Sequence, residues 1–127
     1  APGVVDRPAV HAPAVYIVRG SSFKVKYPGD DSELKPEQKA SIGIFDSGVG
    51  GLSVLQAIRS ILPDAHLLYV ADQAHVPYGP RPLEEVRSFS EGITRFLLAK
   101  GSKVIVVACN TASAAALHEL RANFPEV

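Results

Sequence analysis

Methionine is absent from the 127 residues, position 1 included, so the chain is expected to be processed, trimmed or a piece of a longer protein. Cysteine occurs once, as Cys109, which excludes an internal disulfide and makes a poor start for a zinc site. A reducing compartment, the cytoplasm, fits that usage best. Charge of either sign is not in excess: Lys+Arg and Asp+Glu are 13 each, so bulk electrostatics points to neither nucleic acid nor an anionic membrane. No apolar run approaches the ~20 residues that span a bilayer. The opening Ala1-Pro2-Gly3-Val4-Val5-Asp6 lacks the basic start and long apolar stretch of a signal peptide.

What is present can build a core. Hydrophobic residues make up 46% and charged residues 20%, and the length suits one ordinary domain. The composition changes near residue 40. Residues 1–40 hold half of the ten prolines and read as an irregular N-terminal extension or linker. Within it, Ala14 to Val18 and Phe23 to Tyr27 flank Arg19-Gly20-Ser21-Ser22 as a hairpin candidate. Asp30 to Lys39 lacks apolar rhythm and reads as a linker.

From residue 41 onward strand and helix alternate. Ile42-Gly43-Ile44-Phe45 suits a buried parallel strand. A Gly-rich turn follows, then Leu52, Leu55, Ile58, Ile61 and Leu62 at helical spacing up to Pro63. Leu67 to Ala71 is a second apolar run, and Asp72 to Pro82 a loop. Leu83, Val86, Phe89, Ile93, Phe96 and Leu97 form a second helical stripe, closed by Lys100-Gly101. Val104 to Ala108 is the most strand-like run. A third helix is expected from about Thr111 to Asn123, with Ala114, Leu117 and Leu120 on one face. Three βα units imply an α/β fold, a parallel sheet with flanking helices in an incomplete doubly wound lobe over residues 41–127.

In such sheets ligands bind beyond the carboxyl ends of the strands. Three segments leave those ends: Asp46-Ser47-Gly48, the loop from Asp72 to Gly79, and Cys109-Asn110-Thr111. Cys109 falls between a strand and a helix, where the positive end of the macrodipole favours thiolate and free backbone N–H groups can bind a carboxylate. The alternative for a lone cysteine is a small buried hydrophobe. Asn110 offers amide donors, and Thr111 a cap or a hydroxyl. Asp46 and Ser47 have two readings each: capping of the following helix, or orientation of a thiol or substrate. The turn Gly48-Val49-Gly50-Gly51 lacks both the P-loop ending and the dinucleotide fingerprint, and reads as a close backbone approach. His75 is a candidate acid/base set against a solvated ring, and Tyr78 against a packing residue. Arg81, Glu84, Glu85 and Arg87 read as a solvated helix start.

Three segments in series resemble one family. Ile42-Gly43-Ile44-Phe45-Asp46-Ser47-Gly48-Val49-Gly50-Gly51-Leu52-Ser53, then Tyr69-Val70-Ala71-Asp72 with Val76-Pro77-Tyr78-Gly79, then Ala108-Cys109-Asn110-Thr111-Ala112-Ser113 are similar to glutamate racemases in content, order and spacing. The resemblance covers residues 41–127 and does not reach 1–40. It implies interconversion of L- and D-glutamate for peptidoglycan synthesis, and so for cell wall and cell shape, in the cytoplasm without cofactor or metal. Two thiols would face opposite sides of the substrate Cα, because inversion through a planar carbanion needs a proton donor on each face.

By that resemblance Cys109 is the first thiol and Asp46 assists it or contacts the substrate amine. Ser47, Tyr78, Gly79, Asn110 and Thr111 would bind the amino acid. The family's Gly-Cys-Thr-His motif, with the second thiol, is absent. The second lobe is therefore expected to be missing and the chain alone inactive, with apolar surface exposed and self-association favoured. Three alternatives stay open. One is a racemase of another acidic amino acid. Another is a non-catalytic module for an anionic ligand or a partner. The last is a cysteine hydrolase, which would need an imidazole beside the sulfur.

Overall fold

The computed structural model describes the backbone of residues 14–19 and 22–26, and residues 41–48 and 50–127 in full. The expected hairpin turn at Gly20-Ser21, the linker at 30–39 and Val49 of the Gly-rich turn lie outside the described residues. Eight elements follow in chain order: β1 (Ala14–Arg19), β2 (Ser22–Lys26), β3 (Ser41–Asp46), α1 (Leu52–Ile61), β4 (Leu67–Ala71), α2 (Leu83–Ala99), β5 (Ser102–Val107) and α3 (Asn110–Asn123). The strands form one sheet in the order β2-β1-β4-β3-β5. β3 pairs parallel with β4 on one side and with β5 on the other. The hairpin strands pair antiparallel with each other, and β1 lies antiparallel on the outer edge of β4, with Val15 opposite Val70 and Ile17 opposite Leu68. The sheet is thus wider than its three βα strands, and the edge of β4 is covered by the chain's own N-terminal part.

Alternation along the parallel strands sends successive side chains to opposite faces, and each face has its own core. Phe45, Leu68 and Val70 pack under α2 and α3 with Val86, Ile93, Leu97 and Ala116. Ile44, Leu67, Tyr69 and Ala71 pack under α1 with Leu55. Helices on both faces make the lobe doubly wound, as the three βα units imply. The α2 stop at Lys100-Gly101 forms as expected. Gly101 takes φ 93°, and its N–H reaches Leu98 O.

The structure corrects one expectation and adds two features. Val104 to Ala108, the most strand-like run, lies largely in β5, where Val104 is 53% exposed. Its strand is the sheet's edge among the described residues, so an apolar run is no proof of a central place. Together with Leu117, Phe124 and Val127, Val104 and Ile105 line an open, mostly apolar groove. The buried face of α3 is Ala112, Ala115, Ala116 and Leu120, whereas Ala114 points to solvent. Small residues let α3 lie close to α2, where Arg87 Nε donates to Ala115 O at 2.6 Å. Lastly, α2 buries Ser90 and Thr94 within its apolar stripe. Each hydroxyl is satisfied by a carbonyl one turn back, Val86 O and Ser90 O, both at 2.8 Å. Among the described residues no helix is long and apolar enough to cross a membrane.

β3 is the middle one of the three parallel strands, and at Gly43 it has room for no side chain. A Cβ there would lie 2.8 Å from Ser102 Oγ and 3.0 Å from both Ile105 Cδ1 and Leu97 Cδ1. Gly43→Ala is expected to destabilise the chain by about 1–3 kcal/mol through overpacking. Urea unfolding checks this, with the midpoint falling at unchanged slope.

Candidate active site

The chain leaves β3 toward one face, into α1, and leaves β5 toward the other, into α3. These adjacent strands therefore open a crevice between their carboxyl ends, the switch point where open α/β sheets hold ligands. Strand pairing continues to the last residue. Ala108 N donates to Phe45 O at 2.8 Å, and Asp72 N donates to Asp46 O at 2.9 Å. Asp46, Asp72 and Cys109 are thereby set side by side at the rim.

Cys109 has extended backbone (φ −116°, ψ 122°) and is itself the N-cap of α3. Its Sγ accepts from Ala112 N at 3.4 Å and lies 3.6 Å from Ser47 Oγ. Thr111, a candidate cap in the sequence, sits instead inside the first turn. The thiol is 7% exposed, so it belongs to the core of one face and still borders the crevice. The small buried hydrophobe considered for a lone cysteine is what the packing shows, and the sulfur also meets Ser47. Asn110 is exposed and Thr111 half-buried at the start of α3.

Asp46, 6% exposed, turns its carboxylate back on the Gly-rich turn. Oδ1 accepts from Ser47 N at 2.7 Å and Oδ2 from Gly51 N at 2.5 Å. Gly51 is the N-cap of α1 and has no side chain to cap with, so the carboxylate also meets the positive end of that helix. A Cβ on Gly51 would fall 2.9 Å from Tyr69 Oη, 3.0 Å from Asp46 Cβ and 3.1 Å from Ala108 Cβ. Glycine lets the turn close over the exit of β5, the close approach read from sequence. Ser47 Oγ sits 3.5 Å from Asp46 Oδ1. Asp46, Ser47 and Cys109 thus form one polar chain across the two strand ends.

The loop after β4 holds a group that sequence reasoning passed over. Asp72 is 2% exposed. Its Oδ2 accepts from Tyr78 Oη at 2.5 Å, and both its oxygens lie 2.9–3.0 Å from His75 Nδ1. Because a carboxylate only accepts, the imidazole carries its proton on Nδ1. The ring stacks on Phe89, with centroids 3.8 Å apart, so His75 is not the freely solvated ring considered from sequence. Arg81 binds His75 O through Nε and pairs with Glu85, while Arg87 pairs with Glu119 of α3. The start of α2 is therefore tied down rather than merely solvated. The spacing Asp72, His75, Tyr78, every third residue of one loop, was the signal available in the sequence. Tyr78 is buried with its hydroxyl committed to Asp72, and Gly79 is exposed. Among the described residues the hydrogen-bond partners of Cys109 Sγ are Ser47 and Ala112, neither an imidazole, so there the geometry gives a cysteine hydrolase no base.

No protein-family model matches the chain. The glutamate racemase of Pseudomonas aeruginosa is 58% identical over 90 residues, 71% of this chain and 34% of that protein. Over that span the chain is similar to glutamate racemases. Solved racemases agree in fold. The Thermus thermophilus enzyme in complex with β-chloro-D-alanine has a TM-score of 0.65 at 57% identity, covering 70% of this chain and 34% of that one. The Francisella tularensis enzyme in complex with D-glutamate has a TM-score of 0.63 at 37% identity, covering 65% and 32%. The chain therefore spans about a third of the length of the glutamate racemases it matches.

Burial pushes the Tyr78 phenol far above its ordinary range, and the hydrogen bond to Asp72 and the nearby Asp72, Cys109 and Asp46 push it the same way. A raised folded-state pKa holds its stability contribution in full below the unfolded pKa and loses it as pH rises. From about pH 10 upward the unfolded chain ionises Tyr78 while the folded chain does not. Stability should then fall by about 1.4 kcal/mol per pH unit more in the wild type than in Tyr78→Phe. Chemical unfolding at stepped pH from 9 to 11 measures the difference in slope, and parallel slopes would refute it.

Proposed function

We propose that residues 41–127, preceded by residues 1–40 as an N-terminal extension, supply one half of a cofactor-independent glutamate racemase site, and that Cys109 is the acid/base group on one face of the substrate. The observation that carries this reading is the thiol at the switch point, beside Ser47 and Asp46 and at the N-terminus of α3. The substrate carboxylate would lie on the free N–H groups at the start of α3, with Asn110 and Thr111 adding donors. Ser47, Tyr78 and Gly79 would line the remaining polar contacts, and Asp46 would orient the thiol through Ser47 or face the ammonium.

The chemistry follows from proton balance. The sulfur of Cys109, as thiolate, takes the α-proton. The Cα–H bond breaks, an S–H bond forms, and the electron pair moves into the substrate carboxylate. Helix N–H donors aimed at that carboxylate stabilise the developing charge. Delivery of a proton to the opposite face needs a second acid. The chain has one cysteine, so a second thiol would have to come from outside it. In that setting the complete enzyme provides D-glutamate for peptidoglycan in the cytoplasm. A second reading, a non-catalytic module for an anionic amino acid, is favoured by the same single thiol.

Incubation with L- and D-glutamate in heavy water separates the two readings. Loss of the α-proton by NMR, without inversion and abolished in Cys109→Ala, is the expected outcome. Binding without exchange, from a folded chain, would favour the module. No binding and no exchange would remove glutamate as the ligand.

A further inference from the structure

Asp72 is a buried carboxylate that the proposed chemistry does not use. Burying such a charge is costly unless its oxygens are fully engaged. Asp46 meets that cost with backbone N–H groups of its own turn, as a capping residue does. Asp72 meets it with two side chains of its own loop, Tyr78 Oη at 2.5 Å and His75 Nδ1 at 2.9 Å. The same residue anchors the loop to β3 through Asp72 N and Asp46 O at 2.9 Å. Phe89 of α2 stacks on the other partner's ring, and Arg81 holds His75 O while its guanidinium lies 5.2 Å from the Phe89 ring centroid. One residue thus ties β3, through its backbone N–H, to the loop 72–79 and α2, through its carboxylate, in a fixed arrangement beside the crevice. A purely structural loop anchor could be met by backbone donors. Side-chain partners spaced along the whole loop fix where its far end, Tyr78-Gly79, stands relative to Cys109.

We infer that Asp72 is a positioning residue, which through Tyr78 and His75 presets the loop 72–79 over the thiol end of the sheet for binding of the amino acid. The inference rests on the glutamate reading above.

The test uses the full chain and D-glutamate as probe. Cys109 is alkylated with iodoacetamide, with and without D-glutamate, in the wild type, Asp72→Ala and Asp72→Asn, and backbone amide exchange is followed in parallel. D-glutamate should protect wild-type Cys109. Asp72→Ala should raise the half-protecting concentration about tenfold or more, leave the unliganded alkylation rate unchanged and speed exchange within 73–79 only. Asp72→Asn, which keeps an oxygen acceptor for Tyr78, should recover most of the protection. Equal protection in Asp72→Ala and wild type overturns the inference. Faster exchange throughout the sheet also overturns it, because Asp72 would then be a general stability element. Failure of D-glutamate to protect the wild type counts against the glutamate reading instead. The positioning role is then decided by exchange alone, with acceleration confined to 73–79 supporting it and unchanged exchange refuting it.

Discussion

The parallel pairing of β3 with both its neighbours, carried to Asp46 O and Phe45 O, is the constraint on which the rest of the lobe depends. A parallel ladder sets all its strands running the same way, so the three exits fall on one rim. It also requires a helix to cross each time, which covers both faces. Gly43 and Gly51 serve this pairing. The first lets Leu97 and Ile105 close on β3, and the second lets the turn after β3 lie against Ala108. Were β3 displaced, Asp46 and Cys109 would lose their common frame, since they share no direct bond.

The rim concentrates buried charge and resolves it in two ways. Asp46 is met by N–H groups of the turn leading into α1, so its position follows from local backbone. Asp72 is met by Tyr78 and His75, and its position is set by a network in which each member limits the others. The sulfur of Cys109 stands between these regimes: it caps α3 like a polar residue and packs with Ala112 and Ala116 like an apolar one. Such a group is held in place from both sides, by the helix start and by the core.

The N-terminal hairpin changes the edge economy of the sheet. An exposed strand edge is a template for unwanted pairing. β1 occupies the outer edge of β4, while β5 keeps exposed Val104 and an apolar groove beside it. The two sides of the lobe therefore differ in how far they are finished.

The sequence by itself determined the βα alternation, the helix ends at Pro63 and Lys100-Gly101, and the convergence of Asp46, Tyr78 and Cys109 on strand exits. These rest on periodicity and on Gly/Pro stereochemistry, which act over a few residues. Only the tertiary structure decided which strand was interior and which was edge, because Ile42 to Phe45 and Val104 to Ala108 are equally apolar and pairing order is a long-range property. It likewise decided that α3 buries Ala112 and Ala115 rather than Ala114, since a weakly amphipathic, Ala-rich helix is oriented by its neighbours. Asp72 and His75 became legible last. A polar loop is ordinarily solvated, and nothing local tells that Phe89, on the next helix, will lie under the imidazole and draw the carboxylate inside.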